Sequence, residues 1–179
     1  MEDMQMPRHR YRLFALALAL AVGAGCTTDS AAPTTAAVAA ASDDGVSATL
    51  LQCPASAGGS ATSVVGALGG TLSVGGTSVV IPANAVFSPT SFTLSVPASP
   101  YVEIEVTAGG SDHFVFSQPV LVTIDYSRCG GGLLSTPHQA WNIDPVTKAL
   151  LEKMAGVDIQ IAHTVVFTTV HFSGYALAD

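Results

Sequence analysis

Short apolar runs separated by turn residues fill the sequence after residue 46, and this pattern restricts the fold more than any other feature. The clearest run is YVEIEVT, in which Val102, Ile104 and Val106 alternate with polar side chains. A period of two residues is typical of a strand that has one face in a core. No window of helical length has the apolar period of an α-helix. The sequence therefore predicts an all-β fold, a single antiparallel β-sandwich over residues 47–179.

Turn residues lie between these runs. DPVTK at 144–148 has the composition of a hairpin turn, and IPANA at 81–85 has that of a tight turn, with IPANAVF long enough for one helical turn. Trp141 precedes DPVTK, so we expect it in one strand of a hairpin, packed in the core or at an edge. Glycine pairs predict three further turns, at 69–70, 75–76 and 109–110.

Residues 1–25 have the composition of a secretory signal peptide. The cationic stretch RHRYR is followed by LFALALALAVGAG, which is uncharged and mostly apolar. A membrane-spanning helix needs about 20 apolar residues, and this run is shorter. We therefore expect residues 1–25 to direct export and then to be removed.

Cys26 follows directly, in the stretch VGAGC, which resembles the lipobox of bacterial lipoproteins. This resemblance implies that Cys26 is acylated and holds the protein at a membrane, and, in a host that has an outer membrane, Thr27 after it points to that membrane. Gly23 stands where lipoproteins usually have leucine, so the alternative is ordinary cleavage after Ala24. The first interpretation predicts a lipid-anchored protein of the cell envelope, in the outer membrane or at the cell surface. The second predicts a soluble secreted or periplasmic protein.

Residues 26–46 consist almost entirely of Ala, Thr, Ser, Asp and Pro. Such a segment has no large apolar side chains to bury, so it reads as a disordered tether between the anchor and the sandwich.

Two cysteines remain after Cys26, namely Cys53 and Cys129. An even pair in an oxidising compartment is expected to form a disulfide. This bond would close a loop of roughly 75 residues and stabilise the domain by about 2 to 5 kcal/mol.

The charge of the mature part limits its partners. After residue 25 the chain has three basic side chains against eleven carboxylates, a formal charge of −8. Nucleic acids and anionic lipid headgroups both require a basic surface, so neither is an expected partner. We expect no metal and no cofactor, because Asp112, His113, His138 and His163 do not have the spacing of a metal-binding motif. Asp112, Asp125, Asp144 and Asp158 are expected to be solvated surface carboxylates rather than calcium ligands.

Three stretches, in this order, resemble the ZU-five domain of zonula occludens proteins, netrin receptors and ankyrins. They are GGTLSVGGTSVVIPANAVFSPTSFTLSV, HFVFSQPVLVTIDY and TVVFTTVHFSGYALA, and the resemblance covers residues 66–179. It implies a β-sandwich that serves as a structural or protein-interaction module without enzymatic activity. The partner would be another protein or a cell-surface component.

Some ZU-five proteins, and the related fold beside the membrane helices of adhesion receptors, cut themselves at a His-[Phe/Leu]-[Ser/Thr] tripeptide. By this resemblance Ser173 would attack the Phe172 carbonyl and His171 would act as the base. The alternative, which we favour, is structural: Phe172 fills the core, His171 and Ser173 hydrogen-bond at the end of the sandwich, and Gly174 provides a bend or bulge before the last strand, in which Tyr175 and Leu177 face inward.

A third possibility is a carbohydrate-binding or adhesive module in which Trp141 stacks on a sugar. The sequence has no nucleophile elbow, phosphate-binding glycine loop, paired zinc ligands or dinucleotide fingerprint. These observations favour a non-enzymatic protein.

Overall fold

The computed structural model describes residues 48–111, 113–130 and 136–179, which form a β-sandwich of two antiparallel sheets. This confirms the predicted fold class. Two short 3₁₀ turns, Ser127–Cys129 and Gln160–Ala162, are the only helical elements in these ranges. None of the described residues belongs to a helix of the length and apolarity that a membrane crossing requires. In chain order the strands are β1 Gly59–Val65, β2 Gly70–Val74, β3 Thr77–Ile81, β4 Thr90–Val96, β5 Glu103–Ala108, β6 Phe114–Asp125, β7 Gln139–Ile143, β8 Leu150–Lys153, β9 Gly156–Ile159, β10 Thr164–Phe172 and β11 Gly174–Ala178.

The strands are divided between a six-stranded sheet, in the order β1-β4-β5-β11-β7-β8, and a five-stranded sheet, in the order β2-β3-β6-β10-β9. The chain crosses between the sheets several times, and the last crossing joins β10 to β11. As a result β11 lies in the middle of the six-stranded sheet, paired with β5 on one side and β7 on the other.

The main core lies between the two sheets and follows the predicted alternation. Val102, Ile104 and Val106 are all buried. Tyr175 and Leu177 also face inward, as predicted. Aromatic rings fill one end of this core, where the centroids of Phe116 and Phe172 are 4.4 Å apart and the rings meet edge to face. The pairs Phe92–Phe114, Phe92–Phe116, Phe92–Phe172 and Phe114–Phe116 extend the same cluster.

The segment before β1 is held between the start of β5 and the end of β11. Leu51 N–H donates to the Leu177 carbonyl at 2.8 Å, and Val102 N–H donates to the Leu51 carbonyl at 3.2 Å. Leu51 is buried in the main core. This segment therefore pairs with the sheet through single bridges, at Leu50 and Gln52.

The outer face of the six-stranded sheet has a second, smaller apolar cluster. Its buried members are Ala48, Trp141, Ile143, Leu150, Ala176 and Ala178. On the same face Glu103 is only 5% exposed, and its carboxylate accepts a hydrogen bond of 2.5 Å from Lys148 Nζ. Glu103 is covered because the turn between β7 and β8 places Lys148 against it.

Cys53 and Cys129 form a disulfide, with Cα atoms 4.7 Å apart. Arg128 lies beside it and donates to three backbone carbonyls, those of Pro54, Ser99 and Tyr101. The bond therefore joins the first described segment to the 3₁₀ turn after β6.

Candidate functional site

The tripeptide His171-Phe172-Ser173 lies where the chain leaves one sheet for the other. Strand β10 ends at Phe172, Ser173 is the single residue of the bend, and β11 begins at Gly174. The bulge lies earlier, between Thr169 and His171. Gly174 is therefore neither the bend nor the bulge, which corrects the expected role of this glycine. A Cβ atom there would lie 3.2 Å from both Ile143 Cγ1 and the Ile143 carbonyl, so it is close packing that favours glycine at this position.

His171 and Ser173 are not hydrogen-bonded to each other. The side-chain partner of His171 is Tyr175, and that of Ser173 is Asn142. The Tyr175 hydroxyl donates to the His171 carbonyl at 2.5 Å and lies 3.4 Å from His171 Nδ1. Asn142 Nδ2 donates to Ser173 Oγ. Thr169 Oγ1 also donates to the His171 carbonyl, at 3.0 Å. These contacts fix the bend by tying it to β7 and β11.

This arrangement does not assemble the groups that self-cleavage requires. A serine hydroxyl becomes a nucleophile when a base lies within hydrogen-bonding reach, about 3 Å. In the described structure no hydrogen bond joins His171 to Ser173, and neither residue has a positive φ. Phe172 is completely buried, in the aromatic end of the core. The geometry suits a corner that closes the sandwich.

Burial also sets the chemistry of Tyr175. Its side chain is inaccessible to solvent, and this desolvation raises the pKa of its hydroxyl above the ordinary value of 10.0, although hydrogen bonds from Thr169, Ser173 and Asn142 act in the opposite direction. Tyr175 therefore remains a neutral donor to the His171 carbonyl at physiological pH.

A second polar cluster lies around Tyr126, and it includes two histidines that sequence reasoning treated as isolated. His138 is 2% exposed, and its Nδ1 lies 2.8 Å from Asp179 Oδ1. The Tyr126 hydroxyl donates to Asp158 Oδ1 at 2.7 Å, while the rings of His138 and His163 flank the phenol. His138 Nε2 is buried and has no hydrogen-bond partner in the structure.

The side chains of this cluster are not arranged as a metal site. Within the described residues no three His, Cys, Asp or Glu side chains converge closely enough to hold an ion. The cluster changes the protonation of Tyr126. Burial, together with the hydrogen bond to Asp158, raises the pKa of Tyr126 far above the ordinary value of 10.0. The contacts join β6, β9 and the approach to β7.

Trp141 is 8% exposed and packs in the outer-face cluster, and its Nε1 has no hydrogen-bond partner in the structure. An indole that stacks on a sugar needs an exposed ring face. The burial of Trp141 therefore argues against the carbohydrate-binding alternative, which depends on an exposed indole ring.

The exposed apolar residues at one end of the sandwich were missed by sequence reasoning. Leu68 is 94% exposed in the loop between β1 and β2, and Phe87 is 76% exposed in the loop between β3 and β4. We call these two loops, residues 66–69 and 82–89, the apolar tip. Leu68 and Phe87 could have been found from the sequence, because each is a large apolar residue in a loop that consists mostly of small residues, Asn and Pro.

Backbone contacts hold the two loops of the apolar tip together. Asn84 N–H donates to the Ala67 carbonyl at 2.8 Å, and Gly69 N–H donates to the Gly66 carbonyl at 3.0 Å. Gly69 has φ +75°, and a Cβ atom there would lie 2.4 Å from the Ile81 carbonyl oxygen, so only glycine fits. The loops are therefore fixed by the fold although their apolar side chains point into solvent.

The apolar tip lies at the opposite end of the six-stranded sheet from the start of the described chain. Val65, the last residue of β1, pairs with Thr90, and Ala108, the last residue of β5, pairs with Phe92. Both strands therefore end near the apolar tip. Leu50 instead bridges to Ala178, next to the start of β5.

Comparison of the sequence with family models and with curated proteins finds no match in either set. The signal segment 1–25, the tether 26–46 and the lipidation candidate Cys26 lie outside the described residues.

Proposed function

We propose that this protein is an exported, non-enzymatic module that binds another protein through its apolar tip. The observation that carries this proposal is the exposure of Leu68 and Phe87 on two fixed loops in contact with each other. Single exposed apolar residues are common on protein surfaces, but two large ones presented together on ordered loops favour a binding site.

Charge supports this assignment. Residues 45–102, which contain both loops, have no Asp, Glu, Lys, Arg or His, although the protein as a whole is acidic. An uncharged apolar surface can be desolvated without burying an unpaired charge, which costs several kcal/mol. The partner that fits has an apolar pocket rather than a charged groove.

The position of the apolar tip agrees with an anchored protein. We propose that Cys26 is the attachment point and that residues 26–46 act as a flexible tether, about 25 Å from end to end on average. The sandwich is entered at Ala48, at the end opposite the apolar tip. Attachment there leaves Leu68 and Phe87 free to face away from the membrane. The ZU-five resemblance supports the same kind of role, that of a protein-interaction module.

Site-specific photo-crosslinking in the native host tests the binding surface. A crosslinking amino acid at position 68 or 87 should give a discrete protein adduct. Ile161, which is 96% exposed in a 3₁₀ turn, is the matched control position and should give none. With the crosslinker at 68, Phe87→Ser should reduce the yield. Adducts that are equal at all three positions, or absent at 68 and 87, would contradict the proposal.

Vesicles distinguish a protein partner from a lipid surface. The protein with Cys26→Ala, which cannot be acylated, is mixed with phosphatidylcholine vesicles and sedimented. We expect no binding. Binding that disappears in a Leu68→Ser/Phe87→Ser variant would instead assign the apolar tip to a membrane surface.

The attachment itself has a separate test. Inhibition of lipoprotein signal peptidase with globomycin should cause the precursor to accumulate. Processing that continues unchanged would favour cleavage after Ala24 and a soluble protein.

A further inference from the structure

Strand β1 is an edge strand of the six-stranded sheet, and it lacks the features that usually protect such edges. It pairs with β4 over seven consecutive residues without a bulge. It contains no charged residue and no proline. Natural edge strands are normally short, bulged, charged or covered, because their free N–H and C=O groups otherwise pair with another strand.

The other edge of the same sheet shows these protections. Strand β8 has only four residues, its register with β7 is shifted between Asn142 and Ile143, and it includes Glu152 and Lys153. The contrast within one sheet indicates that β1 is left open while β8 is closed.

The edge of β1 opposite β4 is unpaired, and one face of the strand is exposed. Ser60, Thr62 and Val64 lie on that face, and Val64 is 69% exposed. In the described part of the chain, the strand residues 60–65 make backbone hydrogen bonds only to β4. Alternate N–H and C=O groups along β1 therefore have no backbone hydrogen-bond partner.

We propose that β1 pairs with β1 of a second copy of this chain, antiparallel and about a two-fold axis near Thr62. The distribution of charge favours a second copy of the chain as the partner of β1. Any contact between two copies of an acidic protein brings like charges together, except where the surface has none, and residues 45–102 are uncharged. The cross-strand neighbours would be small or β-branched side chains, with no like charges opposed.

The geometry also limits how far the six-stranded sheet can grow. Pairing β1 with β1 uses the open edge of this sheet in each copy and gives one continuous sheet whose outer strands are the two β8 strands. Those strands are short, shifted in register and charged, so growth stops there. This inference does not depend on the proposed function, because the residues at its centre lie on β1 and not in the apolar tip.

Sedimentation velocity over about 1 µM to 1 mM tests the pairing. Wild type should dimerise as the concentration rises, and Thr62→Lys should weaken the dimer by about tenfold or more, because two lysines then face each other across the axis. Mixing Thr62→Lys with Thr62→Glu should restore a dimer. Leu151→Lys, at the 61% exposed Leu151 of the opposite edge, is the matched control and should dimerise like wild type.

Hydrogen exchange gives a second measurement that needs no variant. The outward-facing amides of residues 60–64 should exchange more slowly at high than at low protein concentration, while those of β8 should not change. A wild-type protein that stays monomeric throughout, a dimer unaffected by Thr62→Lys, or one lost equally in Leu151→Lys would overturn the proposal.

Discussion

At the scale of single residues, Tyr126 and Tyr175 show how burial controls protonation in this protein. Both phenols lie in the main core, and each donates a hydrogen bond from that buried position. The folded state therefore holds both protons more tightly than the unfolded chain, whose tyrosines ionise near pH 10.

This difference predicts a loss of stability at alkaline pH. A pKa raised in the folded state leaves the free energy of unfolding unchanged below about pH 10 and lowers it above that pH, by at most about 1.4 kcal/mol per pH unit for each tyrosine between its unfolded and its folded pKa. Tyr126→Phe should make this decline less steep, and Tyr175→Phe is the parallel variant. Urea unfolding between pH 8 and pH 11 measures it, and an identical slope in wild type and both variants would count against the interpretation.

The self-cleavage alternative can be tested at one peptide bond, between Phe172 and Ser173. Because His171 and Ser173 are hydrogen-bonded to Tyr175 and Asn142 rather than to each other, we expect this bond to stay intact. Denaturing mass spectrometry of the mature protein should give one mass that includes residues 173–179. A species without these residues, lost in Ser173→Ala, would show that the protein cuts itself.

At the scale of strands and turns, the sequence predicts a residue's environment where that environment depends on the residue's own strand, and not where it depends on residues distant in the chain. The alternation of Val102, Ile104 and Val106 correctly predicted the inner face of β5, because a strand's two faces follow from its own sequence. The same alternation places Glu103 on the opposite face but does not predict that it is buried there. Its burial depends on Lys148, which is 45 residues away, and on a turn that folds over the sheet.

The tripeptide shows the same limit. The sequence placed Phe172 in the core, but it did not predict the partners of His171 and Ser173, because these belong to other strands. Leu68 and Phe87 were missed for a related reason, since an exposed apolar side chain has no periodic pattern to reveal it.

The disulfide permits a test at this scale. Cys53 and Cys129 are 76 residues apart, so their bond removes much conformational freedom from the unfolded chain. Reduction should lower the free energy of unfolding by about 2 to 5 kcal/mol, as measured by urea denaturation with and without reductant in a Cys26→Ala background. Equal stability under both conditions, or two thiols that can be alkylated without reductant, would contradict this pairing.

At the scale of the whole molecule, charge is distributed unevenly along the fold. All the basic and acidic side chains of the described residues come after Val102, so β1 to β4 and their loops carry none. The two surfaces proposed for binding, the apolar tip and the edge of β1, both lie in this uncharged half. Crosslinking at 68 and 87 and sedimentation of Thr62 variants test them separately.

The central position of β11 also determines when this fold can form. Until residues 174–178 have left the ribosome, β5 and β7 have no strand between them, and the six-stranded sheet remains in two parts. Leu51, near the start of the sandwich, lacks its hydrogen-bond acceptor Leu177 for the same period. The six-stranded sheet can therefore be completed only when nearly all of the domain is available to fold.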